Sequence, residues 1–287
     1  MTYAKLSGAL LARKDAHVAE AISAAVPAKA PPNAEAKKML AQHLKALKLQ
    51  AFLSEFDRLA EQCAAEGLDH SDYLLRLAEL ELVERERQMV ERRIKAARFP
   101  AIKSLESFDF AAVPSLNKNV VMDLARSEYI AHHDNILIVG DSGTGKTHIA
   151  IALGLAACQQ GFSVGFITAS SLMHQLMEAD DERRQARLKR KLAGYKLLII
   201  DELGFVPLSL TAIEILSQRY ESGSTLITSG LPFAEWSTIF GSERLTAAVL
   251  DRLTHNGHVL EIHGESYRLK HARQRRPHAH ANGAEAP

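Results

Sequence analysis

The segment NILIVGDSGTGKTHIA, residues 135–150, is the feature that most constrains the fold of this chain. A short apolar run leads into the pattern GxxxxGK[ST], and a helical pattern follows it. In such a loop, backbone N–H groups surround a polyphosphate, and side chains at Gly143 or Gly145 would obstruct its approach. The sequence therefore predicts a P-loop between a strand and a helix. The candidate phosphate-binding residues are Gly140, Asp141, Ser142, Gly143, Thr144, Gly145, Lys146 and Thr147.

Two side chains of this loop have expected chemical roles. Lys146 can reach the β- and γ-phosphates of a nucleotide, and the hydroxyl of Thr147 can ligate Mg²⁺. The helix from Thr147 onward adds the positive end of its dipole. A P-loop alone does not distinguish a kinase, a GTPase and an ATPase.

The segment KLLIIDE, residues 196–202, supplies the second motif. It predicts a buried strand with two adjacent carboxylates at its C-terminal end, where ligands bind in open α/β sheets. Asp201 is suited to hold the Mg²⁺ shell, and Glu202 is placed to polarise a water for attack on the γ-phosphate. One apolar run, residues 164–168, lies between the two motifs, which is the arrangement of additional-strand P-loop ATPases. The alternative is an acidic pair that merely caps a strand at the surface.

From residue 136 to residue 262, short apolar runs alternate with helical segments, and this alternation predicts an α/β core. Such runs indicate a five-stranded parallel sheet covered on both faces. The crossover between Asp201 and Thr225 has room for a helix of only about a dozen residues, near the lower limit for a parallel connection. About 25 residues follow the last run, too few for a C-terminal helical lid. The five runs are residues 136–139, 164–168, 197–200, 225–228 and 259–262.

The N-terminal part of the chain has a helical period instead. Apolar residues recur every three or four positions from Leu44 to Cys63, and Gly67 is expected to cap that helix. A second helix is expected from an N-cap at Ser71, with an apolar stripe of Leu74, Leu77, Leu80 and Val83, until Pro100. We expect a disordered extension at 1–38, a small helical domain at 39–100, the P-loop core at 101–270 and a disordered basic tail at 271–287.

Charge and cysteine content limit the possible partners and compartment. Lys and Arg number 35 against 34 for Asp and Glu, so any nucleic-acid contact must come from a local patch. Cys63 and Cys158 cannot form a disulfide framework, and no apolar run approaches the length of a membrane span. A cytoplasmic protein without a membrane partner is expected.

Two basic segments are candidates for DNA contact. One is DDERRQARLKRKL, residues 180–192, and the other is ERERQMVERRIKAARF before Pro100, with Arg85, Arg87, Arg92, Arg93, Lys95 and Arg98. In both, a solvated helix face with paired charges is the alternative. The candidates in the first segment are Arg183, Arg184, Arg187, Lys189, Arg190 and Lys191.

Several segments together resemble the IstB family of transposition helper ATPases. They are the P-loop, DELGFVPLS from Asp201, LITSGLPFAEW from Leu226 and GSERLTAAVLDRLTHNGHVLEIHGESYRL from Gly241. The segments LRLAELELVERERQMVERRIKAARFP and SFDFAAVPSLNK extend the likeness upstream. The resemblance covers about residues 40–270. This family is similar to the DnaC helicase loaders of the AAA+ superfamily.

The resemblance implies an ATPase that forms a homo-oligomer on double-stranded DNA and presents target DNA to the transposase of its own insertion element. It assigns ATP and Mg²⁺ as cofactors, Asp201 as the metal-binding acid and Glu202 as the hydrolytic base. It also implies an arginine supplied by a neighbouring subunit, for which Arg252 is the first candidate and Arg244 the second. The alternative for each arginine is an ion pair with the adjacent Asp251 or Glu243.

The sequence departs from the family pattern in the sensor region. Gly230 stands where the family pattern has an asparagine that orients the attacking water, and residues 210–224 are about one helical turn shorter than usual. We therefore expect weak turnover with nucleotide binding retained.

Three alternative functions remain open from the sequence. A helicase loader would share the ATPase core and differ only in its partner. A small-molecule P-loop kinase would leave the basic helices unexplained, and a non-hydrolysing assembly protein would use ATP only to fix an oligomer.

Overall fold

The computed structural model describes residues 33–179, 181–220 and 222–274. The chain divides into two compact units, with the boundary between Glu86 and Arg87, inside the helix His70–Ala97. The expected domain boundary was residue 100. The division falls earlier because the end of this helix belongs to the second unit, where Ala97 is buried in the core.

The first unit contains the helices α1 (Asn33–Ala46), α2 (Gln50–Glu66) and the first part of α3 (His70–Ala97). Its buried apolar residues include Leu44, Leu59 and Leu77. The start of α2 lacks a cap from its own N-cap residue, and Glu81 of α3 supplies one by accepting the N–H of Ala51 at 2.9 Å. This carboxylate joins two helices by satisfying a backbone donor that helix geometry leaves free.

Several details of this unit differ from the expectation. The helix α1 begins at Asn33, five residues before the predicted end of the extension at residue 38, and Lys48, with φ 59°, lies between α1 and α2. Asp69 rather than Ser71 caps α3, because its carboxylate accepts the N–H groups of Ser71 and Asp72. Of the predicted apolar stripe Leu77 is buried, whereas Leu74 and Val83 are exposed. Gly67 ends α2 in the left-handed region, which confirms the predicted cap.

The second unit is built on a five-stranded parallel sheet with strand order β2-β3-β4-β1-β5. Each of the five predicted apolar runs lies within one observed strand. The predicted α/β fold with a five-stranded parallel sheet is therefore confirmed. The strands are β1 (Asn135–Gly140), β2 (Val164–Thr168), β3 (Leu197–Leu203), β4 (Ser224–Ser229) and β5 (Gly257–Ile262).

Both faces of the sheet are covered, as the predicted continuous apolar strands require. In β1, Ile136 and Ile138 pack on one face, and Leu137 and Val139 on the other. The helices of this unit after α3 are α4 (Lys118–Leu124), α5 (Glu128–His132), α6 (Lys146–Gln159), α7 (Ala169–Glu178), α8 (Glu182–Ala193), α9 (Leu210–Arg219), α10 (Ser237–Phe240), α11 (Glu243–His255) and α12 (Tyr267–Gln274). The helix α6 covers the face with Ile136 and Ile138, and α7, α9 and α11 cover the other face.

Among the described residues of the crossover from β3 to β4, the ten-residue helix α9 is the one helix, which confirms the tight connection. After β5, the eight-residue helix α12 extends past the expected end of the core at residue 270. The rest of the predicted extension, 1–32, and of the predicted tail, 275–287, lies outside the described residues. Within the described ranges, no helix combines the length and apolar character needed to cross a membrane.

Candidate nucleotide-binding site

The predicted P-loop connects the C-terminal end of β1 to the first residue of α6. Gly143 and Gly145 both have positive φ, 80° and 102°, where residues with a side chain are strained. A Cβ at Gly143 would lie 2.2 Å from Ser266 Oγ, and one at Gly145 would lie 2.6 Å from the ring of Phe108. Neighbouring chain segments therefore require glycine here, in addition to the phosphate clearance expected from the sequence.

The loop is also held by its polar side chains. Thr144, which is buried, donates from Oγ1 to the carbonyl of Asp141 at 2.8 Å, and Asp141 accepts the N–H of Gly264 at 3.2 Å. Thr144 and Asp141 thus shape the loop. The side chains or backbone of Ser142, Gly143, Gly145, Lys146 and Thr147 line the cleft beside it.

The ammonium of Lys146 lies over the loop and donates to the carbonyls of Gly140 and Asp141, at 2.8 and 2.6 Å. Burial lowers the pKa of Lys146, and the charges of Asp141 and Asp201 partly oppose this. The positive charge of Arg268 lowers this pKa further. A second cation therefore stands near the lysine on which phosphate binding is predicted to depend.

The acidic pair lies near the C-terminal end of β3, as predicted, and the structure places it beside the P-loop. Asp201 is 3% exposed and accepts hydrogen bonds from Thr147 Oγ1 at 2.9 and 3.0 Å and from Thr228 Oγ1 at 2.5 Å. A hydroxyl and a carboxylate oxygen so close together are the hard oxygen donors that Mg²⁺ prefers, so these residues fit that ion. Glu202 is exposed and lines the cleft. Its backbone has φ 60°, a strained value for a residue with a side chain.

The cleft has a volume of about 260 Å³ and includes residues that the sequence reasoning missed. Lys103, from the segment before α4, and Arg268, on α12, bring two further cations to its wall. Thr228 of β4 also lines it. Arg268 could have been found from its place in GESYRL, within the segment from Gly241 that resembles the family. Thr228 could have been found as a hydroxyl residue in an otherwise apolar predicted strand.

The two candidate arginines for a neighbouring site lie on α11, and both are exposed. Within the described ranges neither has an ion pair, so the alternative pairing with Asp251 or Glu243 is not observed. Arg252 and Asn135 line one small cavity at the start of β1. The P-loop begins at the other end of this strand, about 17 Å away at the usual rise per residue. The structure therefore does not bring Arg252 to its own cleft.

The predicted basic segment forms α8, which Asp181 caps by accepting the N–H of Arg184 at 2.6 Å. Lys189 is engaged by Glu214 at 2.7 Å, and the side chain of Arg184 lies 3.6 Å from Asp181. The remaining predicted contacts, Arg183, Arg187, Arg190 and Lys191, are exposed and have no ion pair in the part of the chain that the structure describes. In the other basic segment, Arg85 pairs with Glu81 and Arg87 with Glu91 on the same helix, as in a solvated face.

The similar proteins of known name include ATP-binding proteins of insertion sequences. The chain is 37% identical over 235 residues to a Pseudomonas aeruginosa protein named as an ATP-binding protein of insertion sequence IS21, covering 80% of this chain and 89% of the relative. It is 34% identical over 241 residues to a Geobacillus stearothermophilus protein named as an ATP-binding protein of insertion sequence IS5376, and the match covers 83% of this chain and 96% of that relative. Among solved structures, the DnaC helicase loader is 20% identical with a TM-score of 0.43, covering 50% of this chain and 86% of that chain.

The family described as IstB-like ATP binding protein matches residues 42–275, nearly the whole span in which the sequence resemblance was found. Together with the P-loop that follows β1 and the acidic pair near the C-terminal end of β3, this match identifies the chain as a member of the IstB-like ATP-binding protein family of insertion sequences.

Proposed function

We propose that this protein is an ATPase that assembles as a homo-oligomer on double-stranded DNA and presents that DNA to the transposase of its insertion element. The observation that carries the proposal is the cluster at the ends of β1, β3 and β4. There Thr147 contacts the buried Asp201, and Glu202 lines the same cleft as Lys146. This combination supplies metal, phosphate and water-activating groups together.

In this proposal Thr147 and Asp201 hold Mg²⁺, which when bound neutralises phosphate charge. Lys146 and the N–H groups of the loop bind the β- and γ-phosphates. Glu202 accepts a proton from the water whose oxygen attacks the γ-phosphorus, and the bond from that phosphorus to the bridging oxygen breaks to release ADP. The small-molecule kinase alternative would not need Glu202 at this position.

The position of Arg252 supports assembly. Its guanidinium is exposed and lies beside the start of β1, at the opposite end of this strand from the P-loop. A transition-state contact to a phosphate would therefore have to occur in the cleft of another copy. Arg244, in the first turn of α11, is the second candidate for the same role.

DNA contact is proposed for the exposed cations of α8. If each subunit neutralises about two or three phosphates, the log–log salt slope per subunit is roughly −2 to −3. Affinity at physiological salt then requires several subunits, which joins assembly to DNA binding. Both cysteines, Cys63 and Cys158, are buried free thiols, which fits a role in the reducing cytoplasm.

The test is ATP-dependent assembly on a duplex, followed by capture of a partner. We expect wild-type protein to sediment as an oligomer with duplex DNA and ATP, and then to retain the purified transposase of its element. Lys146→Ala is the matched control, and it should do neither. Retention of a replicative helicase in place of the transposase would overturn the assigned partner in favour of helicase loading.

A further inference from the structure

Glu202 lies at an interruption of the sheet. The pairing of β3 with β4 shifts register between Ile200 and Leu203, so the ladder is irregular at the acidic pair. Glu202 has φ 60° and points to the cleft, whereas Asp201 is buried. A backbone in this conformation needs a specific contact to hold it, because residues with a side chain prefer other regions.

One hydroxyl supplies that contact. Thr228 Oγ1 accepts the backbone N–H of Glu202 at 2.9 Å and donates its own proton to Asp201 Oδ1 at 2.5 Å. Thr228 is 1% exposed, so water cannot readily replace the hydroxyl if it is removed. A single side chain therefore fixes the backbone of one acid and the carboxylate of the other.

Gly230, two residues after Thr228, makes the hydrogen bonds of Thr228 more important. Gly230 lines the cleft without a side chain, and a Cβ there would have no atom within 4 Å. Ser229, between them, uses its hydroxyl on the carbonyls of Leu203 and Leu231. Among the described residues of β4 and the loop after it, Thr228 thus provides the polar side chain that lines the cleft.

We propose that Thr228 is a positioning residue for ATP hydrolysis, holding Glu202 toward the attacking water and Asp201 toward Mg²⁺. This inference rests on the hydrolysis proposed above. Valine at this position would keep the shape of the side chain, leave the Glu202 N–H without its acceptor and remove one donor from Asp201. Serine would keep both hydrogen bonds.

The test compares steady-state ATP hydrolysis in Thr228→Val and Thr228→Ser. We expect valine to lower kcat by about 10- to 100-fold with KM changed less than about threefold, and serine to keep at least half of the wild-type kcat. In a Glu202→Gln background at saturating Mg²⁺, valine should change turnover less than about twofold, because the part of the effect that acts through Glu202 is already lost. Thermal melts verify that each variant is folded.

A second readout separates this inference from the proposed function. The affinity for a fluorescent ATP analogue is titrated with Mg²⁺ and with chelator, and valine but not serine should reduce the Mg²⁺-dependent gain at least threefold. Wild-type kcat in Thr228→Val, or an equal loss in the Glu202→Gln background, would overturn the inference. If wild-type turnover equals that of Glu202→Gln, the proposed hydrolysis fails, and an unchanged Mg²⁺-dependent gain would then overturn the role of Thr228 as well.

Discussion

The strand-end cleft and the helix α8 carry the two sets of charged residues expected to act on ligands. The two sets differ in their burial and in their hydrogen bonds. In the cleft, Asp201 is buried and is held by hydroxyls of two other segments, Thr147 and Thr228. On α8, Arg183, Arg187 and Arg190 are exposed, without an ion pair in the described ranges. The first set is held by hydrogen bonds within the protein, and the second set is exposed to solvent.

This difference separates two kinds of chemistry. A buried carboxylate with satisfied hydrogen bonds supports reactions that need positions fixed to a fraction of an ångström. Exposed cations bind phosphates with little geometric demand, and salt weakens that binding. Substitutions should accordingly reduce turnover when they concern the cleft, and DNA affinity when they concern α8.

The largest effect is expected for Arg252→Ala, an exposed cation proposed to act in another subunit's cleft. DNA-stimulated turnover should fall about 10³-fold, because the arginine stabilises charge on the transferred phosphoryl group. The melting temperature should stay unchanged, since the side chain has no ion pair among the described residues. A coupled ATPase assay checks the rate.

Mixed oligomers sharpen this prediction. Arg252→Ala subunits mixed with Glu202→Gln subunits should regain turnover, because each intact arginine can complete a cleft that retains Glu202. Wild-type turnover in Arg252→Ala alone would remove the residue from this role. Arg244→Ala, tested in parallel, shows whether the first turn of α11 contributes.

Arg219 tests the opposite case, a buried cation. It is 1% exposed and donates to the carbonyls of Leu192 at 2.8 Å and Ser224 at 2.7 Å and to Thr225 Oγ1 at 3.1 Å. Burial lowers its pKa to about 10, so it remains charged at neutral pH. Arg219→Met should lower the free energy of unfolding by about 2–4 kcal/mol, because these acceptors would lose their donor.

Urea unfolding measures this loss, with Arg190→Met as the control. Arg190 is exposed, and its substitution should change the unfolding free energy by less than about 0.5 kcal/mol. A loss below about 1 kcal/mol for Arg219→Met would show that the buried guanidinium is not needed to join α8, α9 and β4.

Charge reversal on α8 is expected to have a smaller effect. Arg187→Glu with Arg190→Glu should weaken duplex binding by about 10- to 100-fold at low salt and reduce the magnitude of the salt slope by about two per subunit. Fluorescence anisotropy across a salt series measures both. Arg92→Glu with Lys95→Glu, on the other basic segment, is the matched control, and a loss confined to that pair would move the DNA interface to α3.

The smallest effect is expected at Gly230. Its added Cβ meets no atom within 4 Å, so asparagine fits there and can reach into the cleft. Gly230→Asn should raise kcat about threefold by restoring a polar group near the attacking water. An unchanged kcat in single-turnover measurements would remove Gly230 as the explanation for weak hydrolysis, and Gly230→Ala controls for the loss of backbone freedom.

Much of the core could be predicted because its signals are local. The P-loop must have glycine and lysine at fixed positions, and the acidic pair follows a continuous apolar run, so each motif could be assigned to its own strand. The five apolar runs gave the five strands for the same reason.

The parts that were missed depend on contacts between distant segments. Asp69, and not the predicted Ser71, is the N-cap of α3. Aspartate and serine are about equally favourable N-cap residues, so the local sequence does not decide between them. The buried Arg219 resembles any arginine at the end of a helix until α8 and β4 pack around it. The role proposed for Thr228 depends on the irregular register between β3 and β4, and no residue pattern predicted that irregularity.

The most direct test of the account is ATP hydrolysis with and without duplex DNA, measured for wild type against Glu202→Gln. The account predicts turnover above that background, increased by DNA and lost in Glu202→Gln while ATP binding persists. Turnover equal to the Glu202→Gln background, with tight ATP binding and with or without DNA, would contradict it and indicate a nucleotide-locked scaffold instead.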